Sequence, residues 1–165
     1  MLTLAACGET TSEEKEVESV NADSKTSEPA TTEEEPAEDE SEKQEFNEEV
    51  ANSDNVLAKL ISVEKIVDTT FDEEKYEVKF EVENKRDDTI AIQAREVSAD
   101  GKMIDEGMLT MSTDIAGGKK ADAVLTIQNF EGDLPELNND LEMLLHVISW
   151  DDMEFEEQHE VKIQF

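Results

Sequence analysis

The side chains able to carry chemistry in this sequence are few and scattered. Cys7 is the sole thiol among 165 residues, and a thiolate is the strongest nucleophile available for thioether formation. A single cysteine also excludes any disulfide within the chain. His146 and His159 are the only imidazoles. Two imidazoles without a second cysteine or a spaced set of carboxylates do not make a zinc site. His146 shares the alternation of Leu144 and Ile148, which predicts a packed, hydrogen-bonded position in or beside the core. His159 stands in the acidic run Glu156-Glu157-Gln158-His159-Glu160 and reads as a surface residue. Ser98, Ser112 and Ser149 lack the G-x-S-x-G context that presents a nucleophilic serine, and no glycine-rich loop is arranged to cradle phosphates. The expectation is a chain with no catalytic residue, no metal ligand and no cofactor: not an enzyme.

Carboxylates are abundant. Asp72-Glu73-Glu74, Asp87-Asp88 and Asp151-Asp152 with Glu154 fall at predicted strand ends, where oxygen ligands could converge on calcium. None has the spacing of a helix–loop–helix calcium loop. Paired carboxylates also arise readily by chance in a chain with 45 Asp and Glu against 14 Lys and Arg. Diffuse attraction of cations is the stronger expectation, and a calcium-dependent envelope-binding domain the weaker one. The net charge of -31 repels nucleic-acid phosphates and anionic headgroups, which argues against nucleic acid as a partner and for cations and basic protein surfaces. Trp150, the single tryptophan, reads as a sheet anchor with one edge on a hydrogen-bond partner. Met103, Met108, Met111 and Met143 read as core or hairpin packing, with Met103–Met111 as a soft apolar contact patch.

The elements that must position these residues divide the chain into three. The apolar opening Met1–Cys7 is shorter than a complete signal peptide, whose hydrophobic region alone runs about 7–15 residues; residues 1–6 read as the remnant of one. Residues 8–53 carry 17 acidic and 3 basic residues, with large apolar side chains only at Val17, Val20, Phe46 and Val50. Ordering a backbone costs roughly 1–2 kcal/mol per residue, more than so little apolar surface offsets. Residues 7–53 are therefore expected to form a disordered acidic linker, with at most a transient helix over Glu42–Ala51. Residues 54–165 hold nearly all core-forming side chains and form the predicted domain.

Within that domain Tyr76-Glu77-Val78-Lys79-Phe80-Glu81-Val82-Glu83 alternates without fault, which predicts a strand with one buried face. A second alternation runs from Ile90 towards Val97, and Asp100-Gly101 predicts a tight hairpin returning along Lys102-Met103-Ile104. Weaker strand character covers Met108–Ile115. Ala123, Leu125 and Ile127 mark another strand, residues 129–140 a loop, and Leu141, Met143, Leu145 and Val147 one face of a central strand. Val161, Ile163 and Phe165 close the chain. Asn55–Val67 fits either a helical period, with Asp54 as N-cap, or a strand. Short strands parted by polar turns predict an antiparallel all-β sandwich or barrel.

Two resemblances add to this reading. Leu4-Ala5-Ala6-Cys7-Gly8 resembles a bacterial lipobox, the processing site of lipoprotein signal peptides. The resemblance implies a diacylglycerylated Cys7 at the first mature position, a palmitate-bearing anchor, and a product held by lipid on the extracellular face of the cell membrane. Two acyl chains hold firmly where one would not, at about 0.8 kcal/mol per buried CH₂. Val82-Glu83-Asn84-Lys85, the run Thr89–Met103 and the turn Ala116-Gly117-Gly118-Lys119-Lys120 resemble small immunoglobulin-like domains of Gram-positive lipoproteins. That family has proline where Gly117 stands. This likeness implies an immunoglobulin-like sandwich of about seven strands, to which Asn55–Val67 contributes the first. It implies nothing about activity. The resulting expectation is a cell-surface lipoprotein presenting a non-catalytic binding module to an envelope protein or wall component. The alternative is an accessory subunit docking on a membrane-bound partner.

Overall fold

Tyr76, Val78, Phe80 and Val82 bury one side of a strand while Glu77, Lys79, Glu81 and Glu83 line the other, as strand geometry requires. The same rule shapes most of the molecule. The computed structural model describes residues 40–130 and 132–165. Among these residues ten strands run in chain order: β1 (Glu40–Asn52), β2 (Val56–Asp68), β3 (Glu73–Asn84), β4 (Ile90–Ala99), β5 (Lys102–Met103), β6 (Leu109–Thr110), β7 (Thr113–Ile115), β8 (Lys120–Gln128), β9 (Asp140–Ser149) and β10 (Glu156–Gln164). One 3-10 turn, Glu106–Met108, separates β5 from β6. Every strand pair is antiparallel.

The strands form two sheets. The first has the order β1-β2-β3-β8-β6; the second has β10-β9-β4-β5, with β7 also on β4. Phe80, Leu60, Leu125 and Ile127 of the first sheet and Ile90, Ile92, Leu141 and Leu145 of the second are at most 2 % exposed and belong to one apolar cluster. Burying each such side chain contributes roughly 1.5–3 kcal/mol. The fold is therefore an all-β antiparallel sandwich, with ten strands where about seven were expected.

Two corrections and one resolved alternative follow. Residues 40–52, assigned from sequence to the linker that ends at 53, form β1, so the domain begins before 54. No helix forms over Glu42–Ala51. The strand pairs with β2 between Leu57 and Val67, and Phe46, Val50 and Ala51 reach the core cluster. Asn55–Val67 resolves as strand. Its pattern misleads because Ile61 is bulged between the pairs Leu60↔Phe80 and Ser62↔Lys79. Even-numbered Val56, Ala58 and Leu60 point inward before the bulge and odd-numbered Val63 after it. The resulting spacing from Leu60 to Val63 imitates a helical period. Third, the single strand predicted over Met108–Ile115 is two. β6 pairs with β8 in the first sheet and β7 with β4 in the second, so the chain changes sheets between them.

The Asp100-Gly101 hairpin stands as predicted. Both residues have positive φ, 49° and 76°, and Ser98↔Met103 and Ala99↔Lys102 flank the two-residue turn. Glycine tolerates that conformation without steric cost.

Candidate functional site

At one end of the sandwich a buried polar latch joins both sheets. Asn84 ends β3 fully buried. Its Nδ2 donates to Asp88 O at 2.7 Å and Ile115 O at 2.9 Å, and its Oδ1 accepts from Arg86 N at 2.9 Å. A short amide here satisfies the carbonyls of a loop and of the end of β7 at once. The loop so shaped turns Arg86 onto Asp88, with Nε to Oδ1 at 2.7 Å and Nη2 to Oδ2 at 2.9 Å. Arg86 also reaches Asp152 Oδ2 at 3.4 Å and lies 3.8 Å over the Phe155 ring. Ser149 Oγ donates to Asp88 Oδ2 at 2.6 Å and accepts from the Asp151 and Asp152 amides. The Arg86 hydrogen bond, then the Ser149 one, hold the Asp88 carboxyl well below the usual carboxylate range.

This latch accounts for several candidates. Asp88 and Asp152 do converge, as a calcium site would need, but around the guanidinium of Arg86, which supplies the positive charge itself. The Asp72-Glu73-Glu74 group lies at the β2–β3 turn, at the other end of β3. Among the described residues no group of three or more His, Cys, Asp or Glu is placed to hold a metal ion. Ser149 is a structural hydroxyl of the latch; Ser98 is buried in β4 and Ser112 is exposed between β6 and β7.

The histidines are not brought together. His146 belongs to the outer face of β9 with Leu144 and Ile148, opposite the buried Leu145 and Val147, so it covers the sheet from outside and does not enter the core. Its Nε2 lies 3.0 Å from Glu156 Oε1, out of line for a hydrogen bond. His159 occupies the inner side of β10, its Nε2 2.8 Å from Glu157 Oε1. Burial raises the Glu157 pKa, but hydrogen bonds from Ser53 and Asn55 and the charge of His159 outweigh it, leaving the carboxyl lowered. Asn55 Nδ2 donates to Glu157 Oε2 at 2.9 Å, tying the β1–β2 turn to β10.

Trp150 keeps the predicted hydrogen bond, Nε1 to Asp114 Oδ1 at 2.9 Å, yet is 54 % exposed, so it is no buried anchor. Met108 and Met143 are core residues, whereas Met103 is 60 % exposed. Cys7 and residues 7–39 of the expected linker lie outside the described residues. Among the described residues no helix is long and apolar enough to cross a membrane.

At the opposite end Asp100 caps the loop entering β9. Its Oδ1 accepts from Asn139 N at 2.7 Å and Asp140 N at 3.0 Å, and Oδ2 from Asn138 N at 3.2 Å. The Asp140 and Asn139 amides hold its pKa down to about 2. A carboxyl depressed in the folded state stabilises the fold above its unfolded value, about 3.9, and that contribution is lost as pH falls towards 2. Asp88 acts in the same sense. Thermal denaturation should therefore show a midpoint that falls steeply between about pH 4 and pH 2. In Asp100→Asn the midpoint should be several degrees lower at neutral pH and the acid limb shallower. An unchanged acid limb would remove this carboxylate from the account.

One feature was missed from sequence. On the edge of β4 away from β9, β7 pairs with Ile90–Ile92 and β5 with Ser98–Ala99. Among the described residues no strand pairs with Gln93–Glu96 on that side. The chain that would have covered this gap leaves for the first sheet as β6. A groove of about 300 Å³ opens there, lined by Val97, Met103, Ile104, Leu109 and Met111. Ala94 faces inward but is only half-buried, as are Leu109 and Met111. The signal that could have found the gap is the weak alternation over Met108–Ile115, where a continuous strand would alternate strongly.

Compared with protein-family models, curated proteins and solved structures, the chain matches none.

Proposed function

We propose that this chain is a lipid-anchored lipoprotein of the cell envelope, presenting a non-catalytic, immunoglobulin-like β-sandwich as a binding module on the extracellular face. One observation carries the module reading. Four polar side chains of the loops, Asp88, Ser149, Asp100 and Glu157, are each engaged in holding loops together, while a strand edge with an apolar groove is left open. That arrangement suits recognition better than turnover. The anchor reading rests on Leu4-Ala5-Ala6-Cys7 and on the acidic segment that separates it from β1. In this reading the membrane partner is the lipid on Cys7, and the sandwich faces an envelope protein or wall component.

The test is expression of the whole native gene in a Gram-positive host with labelled palmitate. The expected result is a labelled, membrane-bound product that becomes accessible to added protease when the wall is removed. Cys7→Ala should abolish the label and release the protein. Unlabelled native protein in the soluble fraction would overturn the anchor.

A further inference from the structure

We infer that the gap on β4 is a docking site for an extended basic peptide segment of a partner protein, which adds as a short strand between β5 and β7. The inference rests on the binding-module reading and names the partner class for it.

Three observations select this occupant. First, the vacancy has the dimensions of a strand. It runs over Gln93–Glu96, about 13 Å at a rise near 3.3 Å per residue, and is bounded by β7 and β5, both paired to β4 in antiparallel register. β4 bulges at the far end of the gap, where Glu96 has a φ of 52° and the register with β9 shifts between Arg95 and Ser98, so an added segment would continue the β7 ladder over Gln93–Arg95 and meet β5 across the bulge. Backbone pairing gives such a site its affinity, and alternate side chains its specificity.

Second, the inner side of the vacancy is apolar. Ala94, Leu109 and Met111 pack against the core cluster yet remain half-buried, and Met103 is 60 % exposed at its rim. Every second residue of an added strand would face this groove, so those residues should be apolar. Thioether side chains adapt to differing shapes, which favours a range of apolar residues over one fixed anchor.

Third, the charge around the groove asks for cations. Glu96 and Glu106 line it. The neighbouring hollow, which shares Glu96 and Met103, adds Glu142, Glu160 and Lys162. Lys162 is already held by Asp140 and Glu142 at 2.8 and 2.6 Å, and the Arg95 guanidinium turns back onto Gln93 Oε1 at 2.7 Å. Among the described residues Glu96, Glu106 and Glu160 form no ion pair. With a chain charge of -31, an outward-facing Lys or Arg on the added strand meets an attractive field, and a second copy of this chain a repulsive one.

The test uses the full chain, isotope-labelled for NMR. The probe is an acetylated, amidated octapeptide of alternating valine and lysine. Two controls accompany it: the same peptide N-methylated at alternate residues, and one alternating valine and glutamate. Saturable amide shifts centred on Gln93–Val97, Met103 and Thr113 are expected, with slowed hydrogen exchange at Gln93–Glu96. N-methylation, which removes ladder donors but keeps charge and side chains, should weaken binding roughly tenfold. The glutamate peptide should not bind at about 1 mM. Met103→Ala, at an exposed site that leaves the fold intact, should weaken the valine–lysine peptide roughly threefold.

Equal binding of the N-methylated peptide, or shifts spread over the acidic surface and abolished by salt, would mean diffuse attraction and overturn the proposal. So would saturation along β1, or no binding at all. The anchor and module reading would survive those outcomes, since palmitate labelling and surface exposure test it separately.

Discussion

Gly117→Ala is expected to destabilise the domain by about 3 kcal/mol, a large share of the 5–15 kcal/mol typical of a folded domain. A Cβ at this position would stand 2.2 Å from Asp87 O, 2.4 Å from Asp87 C and 2.9 Å from Asp87 Cα. These are backbone atoms with no rotamer into which to retreat. Either the 116–119 turn or the 85–89 loop must move. Gly118 N to Arg86 O at 3.0 Å and Asn84 N to Lys119 O at 2.8 Å would then be strained or broken. Beneath that loop lie Asn84 and the Arg86–Asp88 pair, so the damage reaches the latch between the sheets. Urea denaturation should show a lower midpoint with an unchanged slope. Ala116→Ser, at the exposed neighbour, should change stability by less than about 0.5 kcal/mol. A variant at Gly117 as stable as the parent would mean that the two loops do not abut.

The second large effect is expected at Phe80. It is the largest of the fully buried side chains and sits on β3, between β2 and β8 at the middle of the first sheet. Phe80→Ala removes its contacts and leaves a cavity that two paired neighbours on either side, Leu60 and Ala123, are held too firmly to fill. A loss of about 4 kcal/mol follows from such truncations. Phe80→Leu, which keeps most of the volume, should cost about 1 kcal/mol. Nearly equal costs for the two variants would mean that the core relaxes around the site.

The central strands were readable because one rule governs them. β3, β8 and β9 each keep alternation between a sealed interior and a wet or half-covered exterior, and the Asp100-Gly101 turn announces itself chemically. β1 was hidden for a different reason. Its only inward anchors are Phe46, Val50 and Ala51, and their spacing is disturbed where Asn47 takes φ of 66° in a bulge. An edge strand gains much of its hold from pairing with its neighbour, and pairing leaves no trace in composition. Ile61 masked β2 by shifting the inward set by one residue midway. The β4 gap left only a faint trace, the weak alternation over Met108–Ile115, since it depends on where another segment goes. The latch was half legible: Asn84 and Asp88 were noticed, but as part of a family resemblance and of an acidic pair. Only the fold shows that Arg86 stands between Asp88 and Asp152.

β1 has one more consequence, for what happens when many copies share a small space. A sandwich of open sheets ends in flanks whose unpaired backbone could template endless strand-on-strand growth. Five of the thirteen residues of β1 are glutamates, and the twist at Asn47 interrupts its line midway. Two copies meeting along this flank would press like charges together on a kinked seam. Charge and kink together therefore disfavour fibril growth along this border.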